Sequence, residues 1–241
     1  MTDDARASKA YRTRKARGEP ATMPVALVRT RIQELYDLGL KPQMIASAAN
    51  MSVAGVLHIM RHNTHYVRIE LAARIFKVTH HPDPRQTHVP AVGARRRIRA
   101  LNAIGWSTHE LATRLNITTN DGLNDTIGRP TVTYVRWAAI RDLYEQLSGT
   151  PGGNAEALRV ARRLKYAPPL AWEGIDIDHA RAQPDWAAAG IKLAERSECA
   201  RGHAYTPKNT KREPNGHRIC LTCQRANYAR AQAARRARAA T

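Results

Sequence analysis

The feature that most constrains this chain is a helical segment that occurs twice. Residues 29–52, RTRIQELYDLGLKPQMIASAANMS, align with residues 95–118, RRRIRALNAIGWSTHELATRLNIT, at a constant offset of 66. The matched positions are Ile32 with Ile98, Leu35 with Leu101, Gly39 with Gly105, Ile45 with Leu111, Ala46 with Ala112 and Met51 with Ile117. A fixed period with matched core positions indicates duplication of one structural module. A further match, THYVRIELAARIF (64–76) with VTYVRWAAIRDLY (132–144), has an offset of 68 and predicts two added residues in between.

Apolar residues recur at helical spacing in both copies and predict short helices. A first helix runs to Gly39 or Gly105, and a second follows; in the second copy Ser107 and Glu110 form a capping box. The turns NMS and NIT then precede a third helix, VAGVLHIM or TNDGLNDTI. A last helix closes each core, and we expect its packing residues to be Tyr66, Val67, Ile75, Phe76, Tyr134, Val135 and Tyr144.

Composition breaks divide the chain into six segments. A helix capped by Asn154 and stopped by Pro168 and Pro169 follows the second copy. The segments are a disordered basic arm (1–22), the first repeat (23–79), a linker (80–92), the second repeat with its following helix (93–174), a second linker (175–197), and a cysteine-containing module with a basic C-terminal helix (198–241).

Charge predicts the partner. The chain has 39 Lys and Arg against 20 Asp and Glu, a formal net charge of +19, and such a basic protein is suited to a polyanion. No stretch approaches the ~20 apolar residues of a membrane span, and the N-terminus has no apolar core of a signal peptide. We therefore predict a cytoplasmic, nucleoid-associated protein that binds nucleic acid and has no membrane partner.

The repeated unit resembles the helix-turn-helix family of DNA-binding proteins, although an alanine followed by a hydrophobic turn also occurs in plain helical bundles. The resemblance implies that the third helix of each unit enters the major groove of double-stranded DNA. It implies base contacts from Ser52, Val53 and His58, with Arg61 and His62 at the helix end, and from Thr119, Asn120 and Asn124 in the second copy. Arg129 either enters the minor groove or belongs to a simple turn.

The second copy departs from this pattern. Its third helix carries Asp121, Gly122 and Asp125, and two acids facing phosphate are unusual. Either these acids accept from cytosine amino groups, or this helix is not the main reader. Residues 93–180 also resemble helix-turn-helix proteins of actinobacteria and their phages, which carry the Pro-Pro-Leu-Ala-Trp run found here at 168–172. That resemblance implies a regulator.

All three cysteines lie in one segment, CARGHAYTPKNTKREPNGHRICLTC, residues 199–223. Cys199 and His203 form one closely spaced pair, and Cys220 and Cys223 form another at the start of the last helix. The pattern resembles a treble-clef zinc finger, and three thiolates with one imidazole fill the four positions of a structural Zn²⁺. His217 is the alternative to His203. The helix that follows presents Arg225, Arg230, Arg235, Arg236 and Arg238 with no acid, which favours phosphate contact.

The same segment invites comparison with HNH nucleases, but after Cys223 the chain has no His, Asp or Glu to hold a catalytic metal. We therefore predict a mainly α protein with two tandem helix-turn-helix units of three to four helices and a small zinc module. Its predicted function is that of a non-enzymatic, sequence-specific DNA-binding regulator or repressor, and a covalent tandem can cover an asymmetric site as a monomer. The alternatives are an accessory factor of a recombinase or RNA polymerase, and an HNH-like endonuclease.

Overall fold

The computed structural model describes residues 3–61, 63–117, 120–190, 197–213 and 218–239. Over these residues the chain is mainly helical, with eleven α-helices and three two-stranded antiparallel sheets. The helices are α1 (Asp3–Ala16), α2 (Val25–Asp37), α3 (Pro42–Ala48), α4 (Val53–Met60), α5 (Ile69–Phe76), α6 (Val92–Ala103), α7 (Thr108–Arg114), α8 (Asn120–Gly128), α9 (Tyr134–Leu147), α10 (Ala155–Leu164) and α11 (Leu221–Ala239). The strands are β1 (Thr22–Pro24), β2 (Tyr66–Arg68), β3 (His88–Pro90), β4 (Thr131–Thr133), β5 (Thr210–Arg212) and β6 (Arg218–Cys220).

Each repeat consists of a strand, three helices, a second strand and a closing helix. In the first copy β1 pairs with β2, placing Met23 opposite Val67, and in the second β3 pairs with β4, placing Val89 opposite Val132. The two strands of a copy thus join the segment before its first helix to the segment after its third. Neither strand pair was predicted, because three residues are too few to show an alternating pattern.

The predicted offset of 66 is confirmed in the backbone. Leu40 N–H donates to Leu35 O at 3.0 Å, and Trp106 N–H donates to Leu101 O at 3.1 Å. Gly39 and Gly105 precede these residues with φ of 91° and 98°, a left-handed conformation that ends a helix and favours glycine. The predicted core positions Ile32, Leu35, Ile45, Ala46, Ile98, Leu101, Leu111 and Ala112 are all buried.

The predicted offset of 68 for the last segment is wrong. Val67 lies in β2 and is buried, whereas Val135 lies in the first turn of α9 and is 78% exposed. The residue of the second copy that corresponds to Val67 is Val132, because both face the first strand of their own repeat. The Thr133 hydroxyl accepts from Arg136 N–H and starts α9 there.

The expected packing residues divide accordingly. Val67, Ile75 and Tyr144 are buried, and Tyr134 is partly buried. Tyr66, Phe76 and Val135 are exposed, so their assignment to the core was wrong. Their aromatic and β-branched side chains suggested burial, but the true register turns them towards solvent.

An arginine near the start of the first helix holds the end of the third helix in each repeat. Arg29 Nε donates to Ile59 O at 2.8 Å, and its other nitrogen donates to Arg61 O and to Thr64 O. Arg95 Nε donates to Ile127 O at 2.5 Å and its terminal nitrogen donates to Arg129 O at 2.9 Å. Because the last carbonyls of a helix have no internal partner, one guanidinium satisfies several of them at once.

The predicted disordered arm over residues 1–22 is wrong for Asp3–Ala16, which forms α1. Arg14 pairs with Glu70 of α5 at 3.0 Å, and the Arg68 guanidinium lies 4.8 Å from the centre of the Tyr11 ring. The segment has no apolar periodicity, because an ion pair and a cation–π contact hold it rather than a hydrophobic face. Thr22–Pro24 at its end forms β1.

Both predicted linkers contain ordered contacts. The first includes β3, and Gln86, which is buried, donates to the carbonyl of Met44 at 3.1 Å. In the second, residues 176–182 form a loop that packs against α6. A linker read from proline, histidine and charge therefore carries packing roles that composition does not reveal.

The chain divides into two compact units. The first contains residues 1–98, 108–150 and 176–182, and the second contains residues 99–107, 151–175 and 183–241. Within the second unit Gly152 N–H donates to Ile104 O, and a Cβ on Gly105 would lie 2.4 Å from Gly152 O. The predicted N-cap Asn154 is confirmed, since its side chain accepts from Ala157 N–H at 2.9 Å.

Within the described ranges, no single helix has the length and apolarity needed to cross a membrane. The helices Pro42–Ala48 and Val53–Met60, which form a bent pair, are long and apolar enough only when they are taken together.

Replacing Arg29 by Met tests how much the hydrogen bonds from Arg29 to the end of α4 stabilise the first repeat. We expect the free energy of unfolding to fall by about 2 kcal/mol, because hydrogen bonds from a charged donor contribute roughly 1.5–3 kcal/mol and this side chain is partly exposed. Urea unfolding followed by circular dichroism measures the change. Lys15→Met, which removes the same charge from an exposed position on α1, is the control and should change stability by much less. Equal effects of the two variants would show that the hydrogen bonds from Arg29 do not stabilise the repeat.

Candidate metal centre and nucleic-acid interface

The cysteine-containing module is built around a tight turn, a hairpin and the start of α11. Cys199 N–H donates to His203 O and Gly202 N–H donates to Cys199 O, both at 2.9 Å, so the two ligands lie on one closed turn. Gly202 has a φ of 78°, which permits that turn. Cys220 ends β6, and Cys223 lies in the first turn of α11. The turn, β6 and α11 thereby bring four residues to one point.

The donor atoms of Cys199, His203, Cys220 and Cys223 all lie within 4.8 Å of one another. Cys199 Sγ is 3.6 Å from Cys223 Sγ and 3.5 Å from His203 Nδ1. Tetrahedral zinc with ordinary bond lengths places two sulfurs roughly 3.8 Å apart and a sulfur and a nitrogen roughly 3.5 Å apart. The described atoms therefore fit a Cys3His zinc centre, as the sequence predicts. His217, the alternative ligand, lies outside the described residues.

Hydrogen bonds make the thiols unequal in acidity. Burial alone would raise the pKa of Cys220, but bonds from Cys223 N–H and from the Cys199, Asn209 and Cys223 side chains lower the pKa to about 6. Burial and the neighbouring Cys199 and Cys220 sulfurs raise the pKa of Cys223 to about 11. Three thiolates at this spacing would repel one another, and a divalent cation would hold all three deprotonated.

Asn209 supports the centre without being a ligand. Its Nδ2 lies 3.5 Å from Cys220 Sγ and donates to Ala204 O at 2.7 Å. Its Oδ1 accepts from Thr222 N–H at 2.9 Å, at the beginning of α11. One amide thus joins the first turn, a ligand sulfur and the helix start. The sequence analysis did not identify this asparagine as a residue that positions the ligands.

A stacked pair supports the hairpin on the other side. The Arg218 guanidinium lies 4.2 Å from the centre of the Tyr205 ring, and Tyr205 Oη donates to Arg218 O at 3.3 Å. Arg218 is buried, so this arginine of the module serves packing. The module also carries exposed cations, at Arg201, Lys208, Lys211, Arg212, Arg225 and Arg230.

The basic helix was predicted to contact phosphate. In α11 the side chains of residues 225–232 are exposed on every face, and Arg225 and Arg230 are among them. Arg230 donates to Asn227 Oδ1 at 2.6 Å, a bond that a phosphate would have to replace. The side chains of Arg235, Arg236 and Arg238 lie outside the described part of the chain.

The predicted base-contact residues of the first repeat lie on α4 and at its ends. Ser52 is the N-cap, and its side chain accepts from Gly55 N–H at 3.1 Å. Val53 is partly buried against the core, while His58 and Arg61 are exposed. His58 Nε2 is 3.4 Å from the Thr64 hydroxyl. His62 is outside the described residues. Of this set, Ser52, His58 and Arg61 are exposed along one short helix.

In the second repeat less of the predicted set can be placed. Thr119 and the side chain of Asn120 lie outside what the structure describes, while Asn124 is exposed on α8. Asp125 is exposed too, and it pairs with Arg129 at 2.6 Å, one helical turn later. The exposed surface of α8 thus carries an acid beside its arginine, unlike α4.

Comparison with protein-family models, with curated proteins and with solved structures finds no match for this chain.

Loss of one ligand tests the centre. With Co²⁺ in place of zinc, we expect the wild-type chain to show a thiolate-to-cobalt charge-transfer band, because three sulfurs contact the metal. In His203→Ala the band should weaken and the Co²⁺ affinity should fall by at least about tenfold, since a four-ligand site becomes a three-ligand one. His65→Ala removes an exposed histidine of the first repeat and is the matched control. An unchanged spectrum in His203→Ala would exclude this residue as a ligand.

Substitution of Asn209 by Ala tests the supporting shell. Zinc should still bind, but with an affinity about 10-fold lower, because partners of metal ligands contribute a factor of 10–100. Competition with a chromophoric chelator measures the affinity. Asn227→Ala makes the same chemical change on an exposed stretch of α11, and we expect it to leave zinc affinity unaltered. Identical affinities for the two variants would show that Asn209 does not support the centre.

Proposed function

We propose that this protein binds double-stranded DNA in a sequence-specific manner and acts as a transcriptional regulator, in the manner of a repressor. Two tandem helix-turn-helix units provide selectivity, and the zinc-stabilised basic module adds affinity through phosphate. One chain suffices to cover two adjacent, unequal half-sites.

The observation that carries the proposal is the geometry of α3 and α4. The two helices are bent by 116° relative to each other across a break of four residues. Helix-turn-helix motifs place their two helices at about 90–120° across a turn of similar length. The buried side of α4 holds Val56 and Ile59, and its exposed side holds Ser52, Ala54, Leu57, His58 and Arg61. A helix with one face fixed in a core and the other free is what major-groove binding requires.

The charge of that exposed side supports α4 as the main reader. It includes His58 and Arg61 and no carboxylate, so nothing on it repels the phosphates that border the groove. Its N-cap serine contributes a hydroxyl next to the helix start, the end that approaches base edges in this family of motifs. Ala54 and Leu57 offer apolar contact for a thymine methyl group.

The second unit contributes differently. Asp125 and Arg129 neutralise each other on α8, so this helix attracts phosphate less than α4 does. Asp125 can accept from a cytosine amino group if Arg129 turns to a neighbouring phosphate. The two units therefore prefer different sequences, and the proposed operator is asymmetric.

The zinc module supplies the non-specific part of the affinity. Between Cys199 and Thr241 the sequence has one glutamate, Glu213, and no aspartate, so arginines and lysines far outnumber acids there. Each phosphate neutralised makes the slope of log affinity against log salt concentration more negative by about 0.9. Tethering the module to the repeats raises its local concentration at the site to roughly the millimolar range.

The test is selection from a random duplex library with the zinc-loaded full chain, in the presence of Mg²⁺ and excess competitor DNA. We expect enrichment of one asymmetric sequence and a shift of intact DNA. His58→Ala should reduce the preference for that sequence by about tenfold, because a base contact contributes roughly 1–3 kcal/mol to discrimination. His65→Ala should preserve it.

Other outcomes point to the other classes. Binding that competitor abolishes, together with a stable complex with a recombinase or RNA polymerase, would replace the regulator by an accessory factor. Mg²⁺-dependent cleavage would replace it by a nuclease.

A further inference from the structure

A second cluster of metal-binding side chains lies in the first compact unit. It joins the segment that follows α5 to the loop at residues 176–182. His80 Nε2 is 2.5 Å from Asp176 Oδ2, and His81 Nε2 is 3.6 Å from the same oxygen. These three donor atoms all lie within 4.8 Å of one another.

The histidine side of the cluster is held by the first repeat. α5 ends at Phe76, and the carbonyl of Val78, a buried residue, accepts from Arg31 of α2 at 2.7 Å. His81 N–H donates to Thr79 Oγ1 at 3.3 Å, which turns the chain so that the two histidines project together. Their rings are 4.2 Å apart between centroids.

The aspartate side is held by two neighbouring arginines of α6. Arg96 alone donates to four backbone carbonyls of the loop, at distances between 2.8 and 3.1 Å; these are the carbonyls of Ile177, His179, Ala180 and Ala182. A guanidinium with four carbonyl partners fixes the path of the loop around itself. The position of Asp176 at the loop's first residue is therefore set by the scaffold.

Arg97 anchors the next residue of the loop. It forms a two-pronged ion pair with Asp178, with N–O distances of 2.7 and 2.8 Å, and both side chains are over nine-tenths buried. Trp137 Nε1 donates to the same carboxylate at 2.8 Å. A Cβ on Gly93 would lie 1.7 Å from Asp178 Oδ1, so only glycine leaves room for this carboxylate. Asp178 is thus committed to the scaffold, whereas Asp176 is turned towards the histidines.

We propose that His80, His81 and Asp176 form a second divalent transition-metal site, of the two-histidine, one-carboxylate type, with Zn²⁺ as its ion. Imidazole and carboxylate are ligands of zinc, cobalt and nickel, and no thiolate is present to select a softer ion. The proposal does not depend on DNA binding.

Metal binding needs little rearrangement. A nitrogen and an oxygen on one tetrahedral zinc lie roughly 3.3 Å apart, so the contact between His80 and Asp176 opens by less than about 1 Å. As a ligand, neutral His80 would bind the cation through Nε2 and carry its ring proton on Nδ1. The His81 side chain is 59% exposed and the Asp176 side chain 37% exposed, so water completes the coordination.

His179 orients the site without binding the ion. Its ring lies edge-on to that of His80, 4.7 Å between centroids. Its Nδ1 accepts from Arg181 N–H at 3.3 Å, which leaves the proton of the neutral ring on Nε2. The filled site would connect residues 96 positions apart in sequence and would fix the segment between the repeats against the loop after the second.

The experiment measures zinc per chain in the untagged full-length protein by equilibrium dialysis and elemental analysis. We expect two equivalents in the wild type and one in His81→Ala, which alters an exposed side chain. Asp176→Asn keeps an oxygen to accept from His80, and should also bind one. His65→Ala should bind two. Circular dichroism reports whether each variant keeps its fold.

Cobalt separates the two sites. The equivalent lost in His81→Ala should lack the thiolate charge-transfer band. Cys220→Ser should keep that same equivalent, bound at the histidine site, as its only one. A wild-type chain that binds a single equivalent would overturn the proposal. Two equivalents in both folded His81→Ala and folded Asp176→Asn would overturn it as well, because the second ion would then lie elsewhere.

Discussion

Short helices depend on something outside themselves to satisfy their carbonyls, and in this protein arginine does so. Helices α3, α4, α5, α7 and α8 have seven to nine residues each, so a large share of their carbonyls lacks an internal partner. Arg29 and Arg95 close the ends of α4 and α8, and Arg136 donates to Leu115 O near the end of α7. Arg96 does the same for a loop that has no regular structure. Beside the apolar core, guanidinium groups that reach backbone oxygens thus join the short helices of each repeat.

This use of arginine changes how the net charge of +19 should be understood. A guanidinium that donates to carbonyls has fewer N–H groups left for other partners, but it keeps its charge, because carbonyls are neutral. In the proposed complex with DNA its long-range field would still attract the polyanion, while short-range phosphate contacts would come from other side chains. Attraction and contact are thus assigned to different arginines, and the exposed cations around the cysteine-containing module are candidates for contact.

Sequence predicted the fold wherever the signal was periodic or chemically specific. The repeat at an offset of 66, the glycine ends of the helices, the Asn154 cap and the four clustered metal ligands were all readable, because each depends on local spacing. The register of the closing helices was not. YVR occurs in both copies, and similarity of letters outweighed the strand pairing that makes Val132 the counterpart of Val67. Helix α1 was missed since polar contacts from Arg14 and Tyr11 leave no periodic trace. The cluster of His80, His81 and Asp176 was missed because its members are remote in sequence and Asp176 stood in a presumed linker.

The buried pair of Arg97 and Asp178 has a consequence for the order of synthesis. On the ribosome Arg97 emerges long before Asp178. Until Asp178 has been made, the guanidinium of Arg97 lacks its buried carboxylate partner. The first compact unit includes residues 176–182, which are made only after residues 99–107 and 151–175 of the second unit. Packing of the first unit around Arg97 is disfavoured before that loop has been made, because it would bury an unpaired charge. We therefore expect the region around Arg97 in α6 to complete its packing only after both repeats have been translated.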